Sequence, residues 1–215
     1  MAIPVLIIGA SGSGKSASLR NLANEEYALL NVMGKQLPFK NNKKFLETTS
    51  YPQLKEYMNG YVERGTKLIV VDDAGYLIVD QFVKNHGSGK GNAVFDLYNT
   101  MAQNFYNFIL YVQKELPQDV IVYIVMHEDR SELGYVKPKT IGRMLDEKID
   151  VAGLFTIVLN STKKDGKYIF KTQTDGFDVT KSPMGMFELD EIDNDLKRVN
   201  EEIKKYYNLG GVQHD

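Results

Sequence analysis

The chain of 215 residues has no cysteine. This excludes disulfides and thiolate metal sites, and it fits a reducing compartment. Charge of either sign is in little excess: 26 basic and 28 acidic side chains leave a net charge of -2. That rules out a broadly basic nucleic-acid coat, so affinity for a polyanion would have to come from local basic loops. No apolar run approaches the ~20 residues that span a bilayer. No basic leader precedes the apolar stretch Ile3 to Ile8, which is only strand-length. A cytoplasmic protein without membrane attachment is expected. Arginine is scarce and scattered (Arg20, Arg64, Arg130, Arg143, Arg198), without the cluster that would form the closing lid of a small-molecule kinase. The histidines His86, His127 and His214 have no metal-ligand spacing. Internal repeats and low-complexity tracts are absent.

Hydrophobic residues make up 43% of the chain, enough for one sizeable domain plus an appendage. Short apolar runs alternate with helix-patterned stretches, the pattern of an α/β fold with a mainly parallel central sheet flanked by helices. The expected strands are IPVLIIG, YALLNV, KLIVVDD, DVIVYIVMHED, GLFTIVLNS and KYIFKTQTD, with a further short one at KKFLETT. The last two of the main set are separated by KKDGK and predict a hairpin at the sheet edge. Helices are expected at KSASLRNLAN, at YPQLKEYMNGYVERG and from Ala93 to Leu116, where apolar residues recur at helical spacing. A final helix is expected from Glu188 to Leu209, stopped by Gly210-Gly211. Residues 1–187 are thus expected to form the main domain, and 188–215 a C-terminal helix and tail.

The stretch IIGASGSGKS contains Gly9-x4-Gly14-Lys15-Ser16, the spacing of a phosphate-binding loop, between an expected strand and an expected helix. Such a loop aims backbone N–H groups inward, so Gly9, Gly12 and Gly14 stand where side chains would intrude. Gly9, Ala10, Ser11, Gly12, Ser13, Gly14, Lys15, Ser16 and Ala17 form the candidate ATP cradle. Lys15 is expected to reach the β- and γ-phosphates, and Ser16 to ligate Mg²⁺. LIVVDD is an apolar strand ending in carboxylates, which assigns Asp72 to the Mg²⁺ shell.

Hydrolysis needs a carboxylate to orient or deprotonate the attacking water. Asp73 and Glu47 are both candidates, and the residues do not choose between them. His127, at the end of VIVYIVM, is a candidate sensor of the γ-phosphate.

The segments GASGSGKS, LIVVDD, VYIVMHE and TQTDGFDVTKSPMGMF, in this order, resemble the RecA-like ATPase core. They are similar in particular to the small phage-encoded core-only ATPases of RecA/RadA type, and span most of residues 3–187. The resemblance implies an ATPase that assembles as a ring or filament on single-stranded DNA in recombination or replication, in the cytoplasm of a bacterial host. It also implies ATP sites completed by a basic residue of the next subunit, for which Lys181 in DVTKSP and Arg143 in TIGRML are the matching positions. RecA-type enzymes carry their water-activating glutamate at the end of the strand beside the phosphate-loop strand, and the matching stretch, ALLNVMGK, has no acid. DNA-contacting loops of such proteins combine cations, glycines and aromatics. KNHGSGKGN offers Lys84 and Lys90, and EDRSELGYVKPKTIGR offers Arg130, Tyr135, Lys137, Lys139 and Arg143. The alternative readings are a nucleotide-switched module that binds a protein partner through the C-terminal helix, in the manner of a helicase loader, and, behind it, a small-molecule kinase.

Overall fold

The apolar run Ile3–Gly9 forms strand β1, buried over its last five residues. A strand without polar alternation has to be covered on both faces. The computed structural model describes residues 1–87 and 92–209. The other strands are β2 (Ala28–Asn31), β3 (Leu68–Asp72), β4 (Ile121–Arg130), β5 (Val136–Pro138), β6 (Ile157–Lys164), β7 (Lys167–Lys171) and β8 (Glu191–Asp193). They make one sheet in the order β2-β3-β4-β1-β6-β7-β8, with β5 paired to β4 off this path. The pairs β2–β3, β3–β4, β4–β1 and β1–β6 are parallel, whereas β6–β7, β7–β8 and β4–β5 are antiparallel. The fold is therefore α/β, with a mostly parallel central sheet flanked by helices.

The helices are α1 (Tyr51–Glu63), α2 (Tyr76–Asn85), α3 (Asn92–Glu115) and α4 (Leu196–Tyr206). Successive residues of β1 face opposite sides of the sheet, and two cores result. Leu6 and Ile8 join Leu54 and Met58 of α1, Leu77 and Ile78 of α2, and Met101, Phe105 and Phe108 of α3. Val5 and Ile7 face the other way, with Leu19 and with Leu196, Val199 and Ile203 of α4. α1 starts where the sequence signals it: the Ser50 side chain accepts from the Gln53 N–H, and Pro52 occupies the first turn.

The structure departs from the sequence expectations at several elements. KSASLRNLAN forms only a six-residue 3₁₀ helix, Ser16–Asn21. Serine and asparagine are indifferent helix formers, and the Ser18 hydroxyl donates to the Lys15 carbonyl at 2.5 Å, competing for a backbone acceptor. KKFLETT contributes a single parallel bridge, Leu46 to Leu30, at the free edge of β2. The KKDGK hairpin forms with Asp165 and Gly166 both at positive φ, 50° and 79°, the conformation that a tight two-residue turn requires. β8 then adds to β7, so the hairpin is not the sheet edge. The expected final helix begins at Leu196, because residues 191–193 are drawn into the sheet. β8 and α4 share the sheet and core of residues 1–187. The termination at Gly210-Gly211 lies outside the described residues. Among the described residues, no helix is long and apolar enough to cross a membrane.

Candidate functional site

The loop leaves β1 at Gly9, folds back through a turn in which Ser13 N–H donates to the Ala10 carbonyl at 3.2 Å, and enters the 3₁₀ helix at Ser16. Its glycines are spatial requirements. A Cβ on Gly9 would lie 2.4 Å from the Ser161 carbonyl oxygen, and Gly14 has φ +103° with the Tyr168 ring against it. Lys15 is buried and donates to the carbonyls of Gly9 and Ala10 at 2.8 and 2.7 Å. Burial pulls its pKa down, against the charges of Asp72, Asp73 and Glu128.

Ser16 Oγ donates to Asp72 Oδ2 at 2.8 Å, bringing together residues 56 positions apart in the chain. Asp72, at the end of β3, is 4% exposed. Burial raises its pKa, opposed chiefly by the Ser16 hydrogen bond. A buried carboxylate beside a hydroxyl, with an ammonium nearby, is the donor set that suits a hard cation carrying phosphate oxygens. Among the described residues no three acidic or histidine side chains cluster as a metal cage. The candidate metal position therefore has few protein ligands, as expected of Mg²⁺ bound with a phosphate substrate. The residues fit such an ion, with Ser16 and Asp72 as its holders.

Asp73 follows with φ +59°, which turns its side chain into a second network. Lys35 Nζ lies 2.7 Å from Asp73 Oδ2, and His127 Nε2 lies 3.5 Å from Asp73 Oδ1. The hydrogen bond to Asp73 raises the Lys35 pKa. His127 ends the central part of β4, in register with Gly9. Its pKa is lowered, first by burial and then by the Lys15 charge, which favours the neutral imidazole.

A cleft of about 700 Å³ opens beside the loop, lined by Ala10, Ser11, Lys35, His127, Glu128 and Lys139 among others. Glu128 is a residue that sequence reasoning missed. Its side chain is 9% exposed, and Arg130 Nη2 sits 3.1 Å from Oε1. The sequence signal was the acid directly after His127; the strand order was what hid its place. β2, which carries ALLN, is an edge strand paired with β3, so it is not the neighbour of β1. The strand between the phosphate-loop strand and the Asp72 strand is β4, and Glu128 stands at its end. Glu47 is exposed beyond the far edge of β2 and packs against Gly34. β2, β3 and β4 lie between it and β1.

The basic loop is also not free. β5 folds back onto β4, pairing Asp129 with Lys137, and Lys139 N–H donates to the His127 carbonyl at 2.8 Å. Arg130 and Lys139, both exposed, consequently line the nucleotide-side cleft. Tyr135 is 42% exposed, and Lys137 lies 3.7 Å from Asp146. Arg143 is 87% exposed and pairs with Glu147. Lys84 pairs with Asp80 at 2.7 Å. Lys90 and His214 lie outside the described residues. Lys181 is held to β6 through its backbone, exchanging hydrogen bonds with Val158 at 2.8 and 3.0 Å. No ion pair engages its ammonium among the described residues.

No family model matches the chain, and no curated protein does. Among solved structures, a KaiC-like protein from the hyperthermophilic archaeon Pyrococcus horikoshii is similar with a TM-score of 0.43 and 12% identity, over 78% of this chain and 76% of that one. A likeness at that level carries no functional inference.

Proposed function

We propose that the protein binds and hydrolyses ATP with Mg²⁺. The observation that carries this reading is the 2.8 Å contact of Ser16 Oγ with Asp72 Oδ2 beneath a glycine loop that holds Lys15. Bound magnesium would neutralise charge on the phosphates, and Ser16 and Asp72 would hold it. Lys15 would exchange its two loop carbonyls for phosphate oxygens. Glu128 near the end of β4 is the best-placed acceptor for the proton of an attacking water, with Asp73 the alternative and Glu47 beyond the far edge of β2. Water attack at the γ-phosphorus would release ADP and phosphate. His127 and the cations Lys35, Arg130 and Lys139 would face the terminal phosphate, where preorganised donors contribute most.

We further propose that the protein works as a ring or filament on single-stranded DNA in phage recombination or replication. Support comes from the order of the four segments that resemble RecA/RadA-type core ATPases and from Lys181, whose ammonium is without an ion-pair partner among the described residues. Of the expected DNA contacts, Lys84, Arg130, Tyr135 and Lys139 are exposed and Lys137 is half-buried, and Arg130 and Lys139 also line the nucleotide-side cleft. The test is steady-state ATP hydrolysis with and without single-stranded DNA, with Lys15→Ala as the blank. Stimulation that vanishes in the variant supports the reading. Tight nucleotide binding without stimulation rejects the DNA role and favours a switch driven by a protein partner.

A further inference from the structure

The loop has two flanks, and only one is occupied by the groups just described. On the β4 side lie His127, Glu128 and the cleft. On the other side lie β6 and β7, and from β7 the Tyr168 ring reaches the loop itself. A Cβ on Gly14 would stand 2.8 Å from Tyr168 Cδ1 and 3.0 Å from Cγ, so only glycine lets the ring come this close. Tyr168 is nonetheless 41% exposed. It is one of the large aromatics left open to solvent among the described residues, and it packs against the candidate phosphate loop. Lys163 is directly opposite on β6, with its ammonium 5.5 Å from the ring centroid. A cation on a flexible stem marks that face as accessible, and a ligand can displace it.

The direction of a bound nucleotide follows from these positions. With Asp72 and Glu128 on the β3–β4 side of the loop, the metal and terminal-phosphate end would lie there. The nucleoside end would then leave the loop on the opposite flank, where Tyr168 stands. We infer that Tyr168 is the stacking platform for the nucleobase of the bound nucleotide, with Lys163 at its margin. The inference rests on the reading of residues 9–17 as a nucleoside-triphosphate site. An open aromatic face fits this role because every base offers a π-face, and one such stack contributes on the order of tenfold or more in affinity.

The test compares Mg-ATP with Mg-tripolyphosphate, which keeps the phosphates and lacks the nucleoside, by calorimetric titration of the whole protein. Tyr168→Ala is expected to weaken ATP about tenfold and to leave tripolyphosphate within about twofold, and Tyr168→Phe to bind both as the wild type does. Equal weakening of both ligands would show that the ring only positions the loop and would overturn the inference. No weakening of either would overturn it too. Wild-type protein that binds neither ligand would reject the phosphate-loop reading itself, and the platform with it. A second readout is independent of affinity: the chain has no tryptophan, so Tyr168→Trp introduces a single reporter. Its fluorescence is expected to change with ATP and not with tripolyphosphate; a response to both alike, or to neither, would overturn the stacking.

Discussion

At the scale of single residues, burial governs the proton affinity of the site's carboxylate. Asp72 has its carboxyl raised above the ordinary value of 3.8, first by burial. A group whose folded pKa is raised binds its proton more tightly when folded than when unfolded. Its contribution to stability is therefore greatest below the unfolded value, and is lost as pH rises through the folded value. At neutral pH the ionised carboxylate is a cost, offset in part by Ser16 and Lys15. Asp72→Asn is expected to stabilise the nucleotide-free protein by about 1 kcal/mol, a rise of roughly 2–4 °C in Tm for a chain of this size. The same variant is expected to lose the Mg²⁺-dependent part of nucleotide affinity. Thermal melts across pH and titrations with and without Mg²⁺ would check both halves; a lower Tm for the variant would show that the ionised carboxylate is net stabilising.

Glu128 and Asp73 differ in a way that separates them as proton acceptors. Asp73 is engaged by Lys35 and faces His127, whereas Glu128 lines the cleft with one oxygen toward Arg130. Glu128→Gln is expected to lower kcat by about 10²- to 10⁴-fold, the usual share of a general base, with nucleotide affinity preserved. Asp73→Asn is expected to act more weakly. The reverse order in single-turnover hydrolysis would move the role to Asp73.

At the scale of elements, the C-terminal segment is part of the domain. β8 closes the sheet beyond β7, and α4 buries Leu196, Val199 and Ile203 completely. At ~1.5–3 kcal/mol for each fully buried aliphatic side chain, these three contribute roughly 5–9 kcal/mol as an upper estimate. That is comparable with the ~5–15 kcal/mol net stability of an entire domain. A chain ending at residue 187 is therefore expected to be unfolded or insoluble, where a partner-binding appendage would be dispensable. Circular dichroism and solubility of the truncated chain would decide this; a folded, nucleotide-binding fragment would restore the appendage. The outer face of α4, with Lys197, Arg198, Glu201 and Lys204, remains the polar side of a packed helix.

At the scale of the whole molecule, the question is whether one chain completes its own site. The cleft already has three cations of its own in Lys35, Arg130 and Lys139, while Lys181 stands on the strand-like segment bonded to β6. If a neighbouring subunit supplies Lys181, then Lys15→Ala subunits carry an intact Lys181, and Lys181→Ala subunits an intact loop. Mixing the two inactive variants is then expected to restore about a quarter of wild-type turnover per site at random mixing, and wild-type activity is expected to fall on dilution. Activity of Lys181→Ala alone at the wild-type rate, independent of concentration, would mean that the cations of the same chain suffice.

Much of this was legible in the order of residues. Gly9-x4-Gly14-Lys15-Ser16 announces its loop because phosphate binding constrains adjacent backbone atoms, so the requirement is written locally. The strands β1, β3, β4 and β6 announce themselves because burial on both faces leaves uninterrupted apolar runs. The Asp165-Gly166 turn follows from two residues that tolerate positive φ. What only the tertiary structure decided is strand order and everything that depends on it. Sheet neighbours are set by how helices cross over and pack, and no short stretch of sequence encodes that. This is why Glu128 on β4, and no residue of the edge strand β2, stands on the strand beside the phosphate-loop strand, why Glu47 lies at the far edge, and why a loop rich in cations folds back as β5 so that Arg130 and Lys139 line the cleft. The contact of Tyr168 with Gly14 is of the same kind: 154 positions separate the two residues, and only the β6–β7 hairpin brings them together.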